Sequence, residues 1–521
     1  MEAAPLTAGA AAPAIVFIGF MGAGKTTASR AAAAALGVRA VDADAVLEER
    51  LGTTIEDHFA THGEAAFRAV EEEVVCGLLD APPSPVLALG GGAVTSPRVR
   101  AALERHVVVL LEVTADAAWR RVGSRRPLAR DPERFAALLA DRTPLYESLA
   151  DAVLPQARAD AVRRAVPAVT ALLEAPAGTR LQWAHSASGD YPVYVGEGLL
   201  ARAARLTGRR GRTFLITDEA VGPLYADAVG EVAADLRIPP GEETKTWEQA
   251  GRLLRRLAAA GMAHDDHVLA LGGGVVGDIA GFCAATYQRG VPVVQVPTTL
   301  VAQVDSAYGG KTGVDLPEGK NYAGAYHQPA AVLADTGTLA TLPREELAAG
   351  WAEVVKTALI AGGPLWERVR AARDGPAADA DLVLACARTK LAVVAEDERD
   401  SGRRHVLNLG HTVGHGIETA TGYARYRHGE AVALGLLAAL RLSGQDALRG
   451  EVAELLAARG LPTALDPAVD HEAVMTAMQG DKKRRAGRVG FVLVESPGDV
   501  RTGRPVDPGD VRHALEELSA G

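Results

Sequence analysis

A glycine-rich segment near the start of the chain restricts its fold more than any other feature. The segment GFMGAGKT at residues 19–26 has the G-x-x-x-x-G-K-T spacing of a phosphate-binding loop. It follows the apolar run 14–18 and precedes an alanine-rich stretch at 28–36. This context predicts a buried strand, a tight turn and a helix N-terminus, where free N–H groups and the helix dipole favour phosphate. The pattern therefore predicts a nucleoside triphosphate site.

Particular side chains in and after this loop have predicted roles. Lys25 would reach the β- and γ-phosphates, and the Thr26 hydroxyl would be a ligand of Mg²⁺. Asp42 and Asp44 follow a short apolar stretch about one α/β step later, where carboxylates position Mg²⁺ or a nucleophilic hydroxyl; a surface acidic turn is the alternative. The predicted ATP-binding residues of the loop are Gly22, Ala23, Gly24, Lys25, Thr26 and Thr27.

Composition limits the classes of partner. The chain has 521 residues, which is too long for one typical domain, and 48% hydrophobic residues provide ample material for cores. The net charge of -10 argues against non-specific binding to nucleic acid or anionic membranes. Cys76, Cys283 and Cys386 are isolated in sequence, which suits a reducing cytoplasm. The uncharged stretch 3–24 is interrupted by proline and glycine, and we expect no membrane span.

Alternating apolar runs and helical stretches predict an α/β fold for the first part of the chain. This alternation extends from residue 14 to about 174 and is typical of a parallel sheet with helices on both faces. Residues 174–188 are rich in small residues, proline and glycine, which predicts a linker. Strand-like runs then resume, and after about residue 343 the pattern becomes mostly helical until a strand-like run at 489–494.

Several motifs beyond the phosphate loop occur in a characteristic order. They are Gly63-Glu64 with Phe67-Arg68 and Glu71, the triple glycine 90–92, Arg126-Pro-Leu, and Arg142-Thr-Pro-Leu-Tyr146. With the loop, this order and spacing resemble a shikimate kinase across residues 14 to about 172. The resemblance implies that shikimate is held by Asp44, Arg68, Gly90, Gly91, Gly92 and Arg142.

The remaining kinase residues also follow from this resemblance. It implies that Asp42 lies near Mg²⁺, that Arg126 belongs to a mobile lid over ATP, and that Arg121 contacts the adenine side. The chemistry of shikimate supports these roles, because Arg68 and Arg142 can each form two parallel hydrogen bonds to a carboxylate.

Three further patterns predict ligand sites in the second half. The segment GGGVVGD at 272–278 follows the apolar run 268–271, and a strand, a glycine-rich turn and a helix suit a dinucleotide pyrophosphate. Lysines beside glycines at 309–312 and 319–321 indicate an anion site. His411 and His415 lie one helical turn apart, so spacing alone predicts that they form a metal pair.

The order of motifs from Asp218 to Lys483 resembles a 3-dehydroquinate synthase, across residues 190 to about 515. The resemblance implies that Glu353, His411 and His428 bind a divalent metal, Zn²⁺ or Co²⁺. It also implies that His415 contacts substrate, and we follow it over the spacing argument. Where the family usually has Asp-Glu-x-Glu, this chain ends the motif at Asp400, which is one methylene shorter.

The same resemblance implies two further sets of residues. Those expected around NAD⁺ are Asp218, Glu242, Lys245, Gly273, Gly274, Asp278, Thr298, Thr299, Asp305, Lys311 and Lys320. Those expected around the cyclase substrate are Arg289, Lys311, Lys320, Asn321, Lys356, Lys390, Arg404, Asn408, His411, His415 and Lys483. The residues expected to take part in catalysis are Lys25, Asp42 and Arg126 in the first half and Lys311, Lys356, Lys390, Arg404, Asn408 and His415 in the second.

These resemblances predict five segments in the chain. They are a tail at 1–13, a kinase domain at 14–173, a linker at 174–188, a Rossmann-like NAD-binding subdomain at 189–343, and a helical metal and substrate subdomain at 344–521. A homodimer through the C-terminal half is implied by the resemblance.

We expect the protein to catalyse two reactions. One half would phosphorylate shikimate with ATP, and the other would convert 3-deoxy-D-arabino-heptulosonate 7-phosphate to 3-dehydroquinate and phosphate, with NAD⁺ regenerated in each turnover. These pathway steps are not consecutive, so each domain should work alone. Two alternatives stand beside this interpretation: one half is a silent nucleotide-sensing module, or the second half cyclises another sugar phosphate. Lys390, Asn408 and the Lys320-Asn321 pair favour the dehydroquinate branch over the latter.

Overall fold

The protein divides into two compact units, Met1–Ala184 and His185–Gly521. The computed structural model describes residues 12–122, 131–155, 159–208, 210–372, 378–482 and 490–520. The predicted tail at 1–13 therefore lies almost entirely outside the described residues. Within the described ranges, no helix is both long and apolar enough to cross a bilayer. The predicted α/β class is confirmed, with parallel sheets and a helical C-terminal region.

The first unit is built on a parallel sheet. Its strands are β1 (Ile15–Ile18), β2 (Val41–Asp42), β3 (Val86–Ala88), β4 (Val107–Leu111), β5 (Ala152–Leu154) and β6 (Arg180–His185). They lie in the order β2-β3-β1-β4-β5-β6, and every pair is parallel. Strands β1 and β4 are buried along their whole length, because helices cover both faces of a parallel sheet.

The described part of this unit contains seven α-helices around the sheet. They are α1 (Lys25–Leu36), α2 (Ala43–Leu51), α3 (Ile55–Asp80), α4 (Pro97–Leu103), α5 (Ala115–Val122), α6 (Pro132–Leu149) and α7 (Ala159–Ala171). Helix α3 is broken at Gly63, whose φ of 80° lies in the left-handed region that glycine tolerates. The break turns the second part of α3 so that Phe67 joins the core and Arg68 lies beside the triple glycine.

The second unit also begins with parallel strands. Its strands are β7 (Asp190–Gly196), β8 (Thr213–Asp218), β9 (Ala234–Ile238), β10 (His267–Gly272), β11 (Val293–Pro297) and β14 (Ala331–Asp335). The order is β7-β14-β11-β10-β8-β9, and each recorded pairing is parallel. Helices α8 (Ala203–Thr207), α9 (Gly222–Tyr225), α10 (Trp247–Ala259) and α11 (Gly274–Thr286) connect these strands.

Among the described residues of this unit, two antiparallel hairpins interrupt this pattern. The first joins β12 (Lys311–Leu316) to β13 (Gly319–Tyr326), and the second joins β15 (Phe491–Ser496) to β16 (Asp499–Arg504). The sequence had suggested an anion site in the first segment without a hairpin. Its glycines and lysines conceal the alternation of buried and exposed residues on which strand prediction depends.

Helices form the rest of the second unit. They are α12 (Arg344–Ala361), α13 (Gly363–Ala371), α14 (Ala380–Glu396), α15 (His411–Ala420), α16 (His428–Leu442), α17 (Asp446–Ala458), α18 (His471–Lys482) and α19 (Pro508–Ala520). Helices α12 and α16 contact each other and are buried almost all round, as expected for helices that are apolar on every face. They form the centre of the helical part and carry two of the predicted metal ligands.

The predicted linker at 174–188 contains more structure than we expected. Strand β6 lies within it and pairs with β5, with Leu181, Trp183 and Ala184 buried. The proline, glycine and serine residues that indicated a linker flank this strand on both sides. The subdomain boundary expected at 343 and the ends of the other predicted segments remain predictions.

Candidate active sites

The phosphate-binding loop of the first unit lies between β1 and α1. Helix α1 begins at Lys25, and Gly24 precedes it with a φ of 94°. The Lys25 ammonium donates to the carbonyl oxygens of Gly19 and Phe20, at 2.9 and 3.1 Å, so it lies across the loop. A cleft of about 220 Å³ opens at this point, and Gly22, Gly24, Lys25, Thr26, Thr27, Asp42 and Asp44 line it.

A carboxylate faces the first turn of α1. The Thr26 hydroxyl donates to Asp42 Oδ2 at 2.6 Å, and Asp42 Oδ1 accepts the backbone N–H of Asp44 at 3.0 Å. Asp42 is therefore fixed at the end of β2, beside the hydroxyl that the loop motif predicts as a Mg²⁺ ligand. Oxygen ligands of this kind suit Mg²⁺ together with phosphate.

The six residues predicted to hold shikimate line a second, neighbouring cavity. It has a volume of about 70 Å³, and its lining includes Asp44, Arg68, Gly90, Gly91, Gly92 and Arg142. A Cβ on Gly90 would lie 2.8 Å from both Asp44 Oδ1 and Glu71 Oε1, and one on Gly92 would overlap the Arg68 guanidinium. Glycine at these two positions leaves room for the three side chains to approach the backbone.

The motifs include Glu71 and Tyr146, but sequence reasoning gave neither residue a role at this cavity. Glu71 is buried, and its Oε2 lies 2.5 Å from Arg68 Nη1, which fixes the guanidinium beside the cavity. Burial raises the pKa of the Glu71 carboxyl, and Arg68 opposes that rise. The buried Tyr146 hydroxyl donates to Gly91 O at 2.5 Å and so supports the glycine turn. The spacing of three residues between Arg68 and Glu71 was the available signal.

The structure describes only one of the two arginines that were predicted to bind ATP. Arg121 Nη1, at the end of α5, donates to Gly22 O at 3.0 Å and thus reaches the phosphate-binding loop. Arg126, predicted in the lid, lies outside the described residues.

In the second unit, a glycine turn joins β10 to α11. The helix begins at Gly274, and Gly273 precedes it. A Cβ on Gly273 would lie 2.9 Å from Thr299 Cγ2, so the turn passes close to the residues that follow β11. The free N–H groups of a helix N-terminus at such a close approach fit a pyrophosphate. Asp218 and Thr298 also lie at the carboxyl ends of strands in this sheet, the edge where α/β proteins bind ligands.

A group of charged residues surrounds the first turns of α11. Lys245 is buried and lies 2.9 Å from Glu242 Oε1 and 3.3 Å from Asp278 Oδ2. Burial raises the pKa of Asp278 to about 6, and Lys245 opposes this effect. Lys320 Nζ, on β13, lies 3.5 Å from Glu242 Oε1. Four residues predicted around NAD⁺ therefore form one connected cluster.

The three predicted metal ligands come together between the helices. One ligand atom each from Glu353, His411 and His428 lies within 4.8 Å of the others. Nε2 of each histidine is 3.5 Å from Glu353 Oε1. Glu353 is completely buried, and within the described part of the chain its Oε1 has no hydrogen-bond partner. Two imidazoles and a carboxylate suit Zn²⁺ or Co²⁺, so the residues fit the metal that the resemblance implies.

His415 lies beside this group rather than within it. Its ring centroid is 5.2 Å from that of His411, and it can form a second set of ligand atoms with Glu418 and His428. The pair predicted from spacing alone is thus adjacent in space, but Glu353 Oε1 is in contact with His411 and His428.

The two histidines that face Glu353 have pKa values shifted in opposite directions. Burial together with the nearby Lys356 lowers the pKa of His411 to about 3, although Glu353 opposes this shift. Burial also acts to lower the pKa of His428, but the carboxylates of Glu353 and Glu418 outweigh it and raise that pKa to about 10. Burial disfavours the charged form of Glu353, yet Lys356 and the histidines hold its pKa well below the ordinary value.

Two buried lysines form ion pairs with Asp305, and one of them also contacts the predicted metal ligand Glu353. Lys356 Nζ lies 2.5 Å from Glu353 Oε2 and 3.5 Å from Asp305 Oδ2, and Lys390 Nζ lies 2.5 Å from Asp305 Oδ1. Asp305 was predicted beside NAD⁺ and the lysines beside substrate, and the structure joins all three in one row. Burial lowers the pKa of Lys390, although Asp305 opposes the shift.

The remaining predicted substrate residues lie in several places. Arg404 is buried, and its guanidinium donates to Glu398 O at 2.6 Å and Gly309 O at 3.0 Å. It therefore links the backbone segments that contain these two residues. Lys311 Nζ contacts Asp400 Oδ2 directly at 2.5 Å, despite the shorter side chain. Asp400 has a φ of 57°, a conformation that aspartate tolerates better than most residues.

Four other residues were predicted to contact the substrate. Asn321 lies on β13 next to Lys320, and Asn408 ends the short 3₁₀ helix Arg403–Asn408 just before α15. Arg289 precedes β11 at the amino end of the strand, so the structure does not bring it to the carboxyl edge where the other residues gather. Lys483 lies outside the described residues.

Different known protein families match the two units of the chain. Residues 21–171 match the shikimate kinase family, and residues 235–349 and 350–484 match the N- and C-terminal domains of 3-dehydroquinate synthase. The 3-dehydroquinate synthase of Halorhodospira halophila is 46% identical over 337 residues, which cover 61% of this chain and 94% of the relative. The chain belongs to the 3-dehydroquinate synthase family. Its N-terminal unit adds a shikimate kinase domain, and both families are families of enzymes of aromatic biosynthesis.

Further relatives support the synthase assignment. The 3-dehydroquinate synthase of Symbiobacterium thermophilum is 43% identical, over 63% of this chain and 98% of the relative. A solved 2-deoxy-scyllo-inosose synthase, complexed with carbaglucose-6-phosphate, NAD⁺ and Co²⁺, has a TM-score of 0.59 and 25% identity, with coverage of 65% and 99%. A 2-epi-5-epi-valiolone synthase from Streptomyces hygroscopicus, with NAD⁺ and Zn²⁺ bound, has a TM-score of 0.58 and 28% identity, with coverage of 63% and 96%.

Proposed function

We propose that the protein is a bifunctional enzyme with two separate active sites. The first unit phosphorylates the 3-hydroxyl of shikimate with ATP, and the second converts 3-deoxy-D-arabino-heptulosonate 7-phosphate to 3-dehydroquinate and phosphate. The observation that carries the proposal is that each predicted site is assembled from residues of one unit: a phosphate loop beside an arginine-lined cavity, and a glycine turn with a Glu-His-His group. Its acceptors are small molecules, and its three buried free cysteines suit the cytoplasm.

In the kinase unit, positioning and charge neutralisation do most of the work. Lys25 and the N-terminus of α1 bind the phosphates of ATP, while Thr26 and Asp42 hold Mg²⁺. Arg68 and Arg142 bind the carboxylate of shikimate, and Asp44 accepts from its ring hydroxyls. Arg121 binds the nucleotide, and Arg126 would neutralise charge on the transferred phosphoryl group.

In the synthase unit, two groups of residues would hold cofactors. Gly273, Gly274 and the cluster around Lys245 would bind NAD⁺, and Glu353, His411 and His428 would hold Zn²⁺ or Co²⁺. When bound, NAD⁺ supplies reversible oxidation at a ring hydroxyl, and the metal supplies a Lewis acid that polarises that oxygen.

The chain's own side chains then bind and orient the sugar acid phosphate. Lys311, Lys356 and Lys390 provide positive charge for the carboxylate, the phosphate and the enolate character that develops during phosphate elimination. Asn408 and His415 donate to substrate oxygens beside the metal group. Burial of Lys356 and Lys390 excludes water, which strengthens their attraction for anionic groups.

A second candidate for the synthase unit is cyclisation of a different sugar phosphate. The structural likeness to the inosose and valiolone synthases favours it, but their identities of 25% and 28% are well below the 41–46% of several dehydroquinate synthases. We therefore retain the heptulosonate phosphate as substrate. Mass spectrometry of the product formed from it with NAD⁺ and Zn²⁺ tests this choice, because another cyclase would leave it unchanged.

A silent first unit is the alternative from another class. Intact Lys25, Thr26, Asp42 and Asp44, together with the arginine-lined cavity, argue for an active kinase. Measuring ADP formation with and without shikimate separates the two: acceptor-dependent ADP supports a kinase, and nucleotide binding without turnover supports a sensor.

The proposal also includes a homodimer that forms through the C-terminal half.

A further inference from the structure

The imidazole of His428 lies between two buried carboxylates. Its Nε2 is 3.5 Å from Glu353 Oε1, and its Nδ1 is 3.4 Å from Glu418 Oε1. The side chain of Glu353 is 0% exposed and that of Glu418 is 5% exposed. Because the two nitrogens of an imidazole point in different directions, each carboxylate faces its own nitrogen.

The two sides of this ring are not equivalent. On the Nε2 side, Glu353 Oε1 also faces Nε2 of His411, which completes the three-residue ligand group. On the Nδ1 side, the other set of candidate ligand atoms, from His415, Glu418 and His428, includes an exposed histidine, whereas Glu353 is completely buried against His411 and His428. The cation therefore belongs on the Nε2 side, and Glu418 is left to interact with the opposite nitrogen.

We propose that Glu418 is a positioning residue that holds the proton of His428 on Nδ1 and so directs the Nε2 lone pair towards the metal. A carboxylate behind a metal-binding histidine fixes its tautomer and ring orientation and increases its basicity as a ligand. This inference rests on the metal site of the proposed function and adds a residue that neither ligates the metal nor contacts the substrate.

The same carboxylate links the metal group to the cofactor side of the unit. Lys320 Nζ, on β13, lies 3.8 Å from Glu418 Oε1 and also contacts Glu242, which belongs to the cluster around the first turns of α11. The ring of Tyr423 lies 4.1 Å from the Lys320 ammonium and limits its movement. Glu418 is thus a common partner of a predicted metal ligand and a predicted NAD⁺ residue.

The position of Glu418 on α15 explains how one helix provides these functions. His411, His415 and Glu418 are separated by four and three residues, so all three lie on one face over two helical turns. His411 provides a ligand at the first turn, and Glu418 supports the other ligand from the second turn. The sequence G-H-x-x-x-H-x-x-E therefore contains one ligand and one supporting carboxylate.

The test compares Zn²⁺ affinity among full-length variants, measured by competition with a chromophoric chelator in the absence of substrate. Glu418→Ala should weaken Zn²⁺ binding by roughly 10- to 100-fold, the usual effect of removing such a partner. Glu418→Gln should weaken it less, because the amide oxygen can still accept from Nδ1–H. The absorption spectrum of bound Co²⁺ should also change in both variants, since it reports the geometry of the His428 ring.

Glu346→Gln is the matched control. Glu346 is an exposed carboxylate on α12 that pairs with Arg427, next to His428 in sequence, at 3.0 Å. Its variant removes the same charge near the site without touching the imidazole, so Zn²⁺ affinity should stay within about twofold of the wild type. Equal loss in Glu346→Gln and Glu418→Gln would show a general charge effect and would overturn the proposal.

Other outcomes also decide the matter. Unchanged Zn²⁺ affinity and Co²⁺ spectrum in Glu418→Ala would overturn the proposal. Retained Zn²⁺ binding in His411→Ala, with complete loss in Glu418→Gln, would make Glu418 a direct ligand and would overturn it as well. A wild-type protein that binds Zn²⁺ but does not turn over the heptulosonate phosphate would contradict the proposed function and leave this inference standing. A wild type that binds no Zn²⁺ would contradict both.

Discussion

Thr26 and Asp42 are in hydrogen-bond contact at 2.6 Å, although they belong to successive strand–helix steps of the kinase unit. The other oxygen of Asp42 caps α2, so the carboxylate cannot rotate away from the hydroxyl without uncapping that helix. The contact places two oxygen ligands side by side at the entrance of the phosphate-binding loop.

Removal of the Thr26 hydroxyl tests this pair. Thr26→Ala should lower kcat for shikimate phosphorylation by roughly 10²- to 10³-fold, the usual effect of losing one preorganised group. Thr26→Ser keeps the hydroxyl and should retain most activity. The assay is ADP release over a Mg²⁺ titration. Full activity in Thr26→Ala at ordinary Mg²⁺ concentrations would contradict the role.

The glycine turn of the shikimate cavity gives a second prediction. A Cβ at Gly90 would meet Asp44 and Glu71 at 2.8 Å, and overpacking of this kind costs about 1–3 kcal/mol. Gly90→Ala should therefore raise the KM for shikimate at least about fivefold and leave the KM for ATP nearly unchanged. Gly77→Ala, in open space on α3, is the control and should be neutral or slightly stabilising. An equal rise in both KM values would place the effect outside this cavity.

Arg404 allows a structural role to be separated from substrate contact. A lysine cannot donate to Glu398 O and Gly309 O in the same bidentate manner, and lost hydrogen bonds to a charged group cost about 1.5–3 kcal/mol. Arg404→Lys should lower the Tm of the unfolding transition that NAD⁺ shifts, because that transition reports the synthase unit. Unchanged Tm with a raised KM for the heptulosonate phosphate would instead show direct contact with the substrate.

The ligand set predicts different results for two neighbouring histidines. His428→Ala removes one of the three predicted ligand atoms, the Nε2 that faces Glu353 Oε1, so purified protein should contain little Zn²⁺ and form no 3-dehydroquinate. His415→Ala should retain the metal and mainly raise the KM for substrate. Metal content by mass spectrometry checks both. Full occupancy in His428→Ala with loss in His415→Ala would favour the pair predicted from helical spacing.

Much of the fold could be predicted because its signals are local. Buried parallel strands are continuous apolar runs, as at 107–111, and the alanine-rich stretch after the phosphate-binding loop could only be a helix. Strand β6 was missed because its flanking glycine and serine residues are typical of a linker. The β12–β13 hairpin was missed because glycines conceal its alternation.

The sites were predicted less completely, for a different reason. Motifs identify residues that contact ligands, but the residues that orient them are visible only when distant segments come together. Glu418 beside His428, on the next helix, belongs to this class, whereas Glu71 lies on the same helix as Arg68 and only its spacing indicated the contact.

The most direct test of two independent active sites uses three full-length proteins: wild type, Lys25→Ala and His428→Ala. Each receives ATP, Mg²⁺, NAD⁺ and Zn²⁺, and mass spectrometry follows shikimate 3-phosphate formed from shikimate and 3-dehydroquinate formed from the heptulosonate phosphate. The wild type should form both products, Lys25→Ala only 3-dehydroquinate, and His428→Ala only shikimate 3-phosphate. A wild type that leaves both substrates unaltered, or a single substitution that lowers both activities together, would contradict the account.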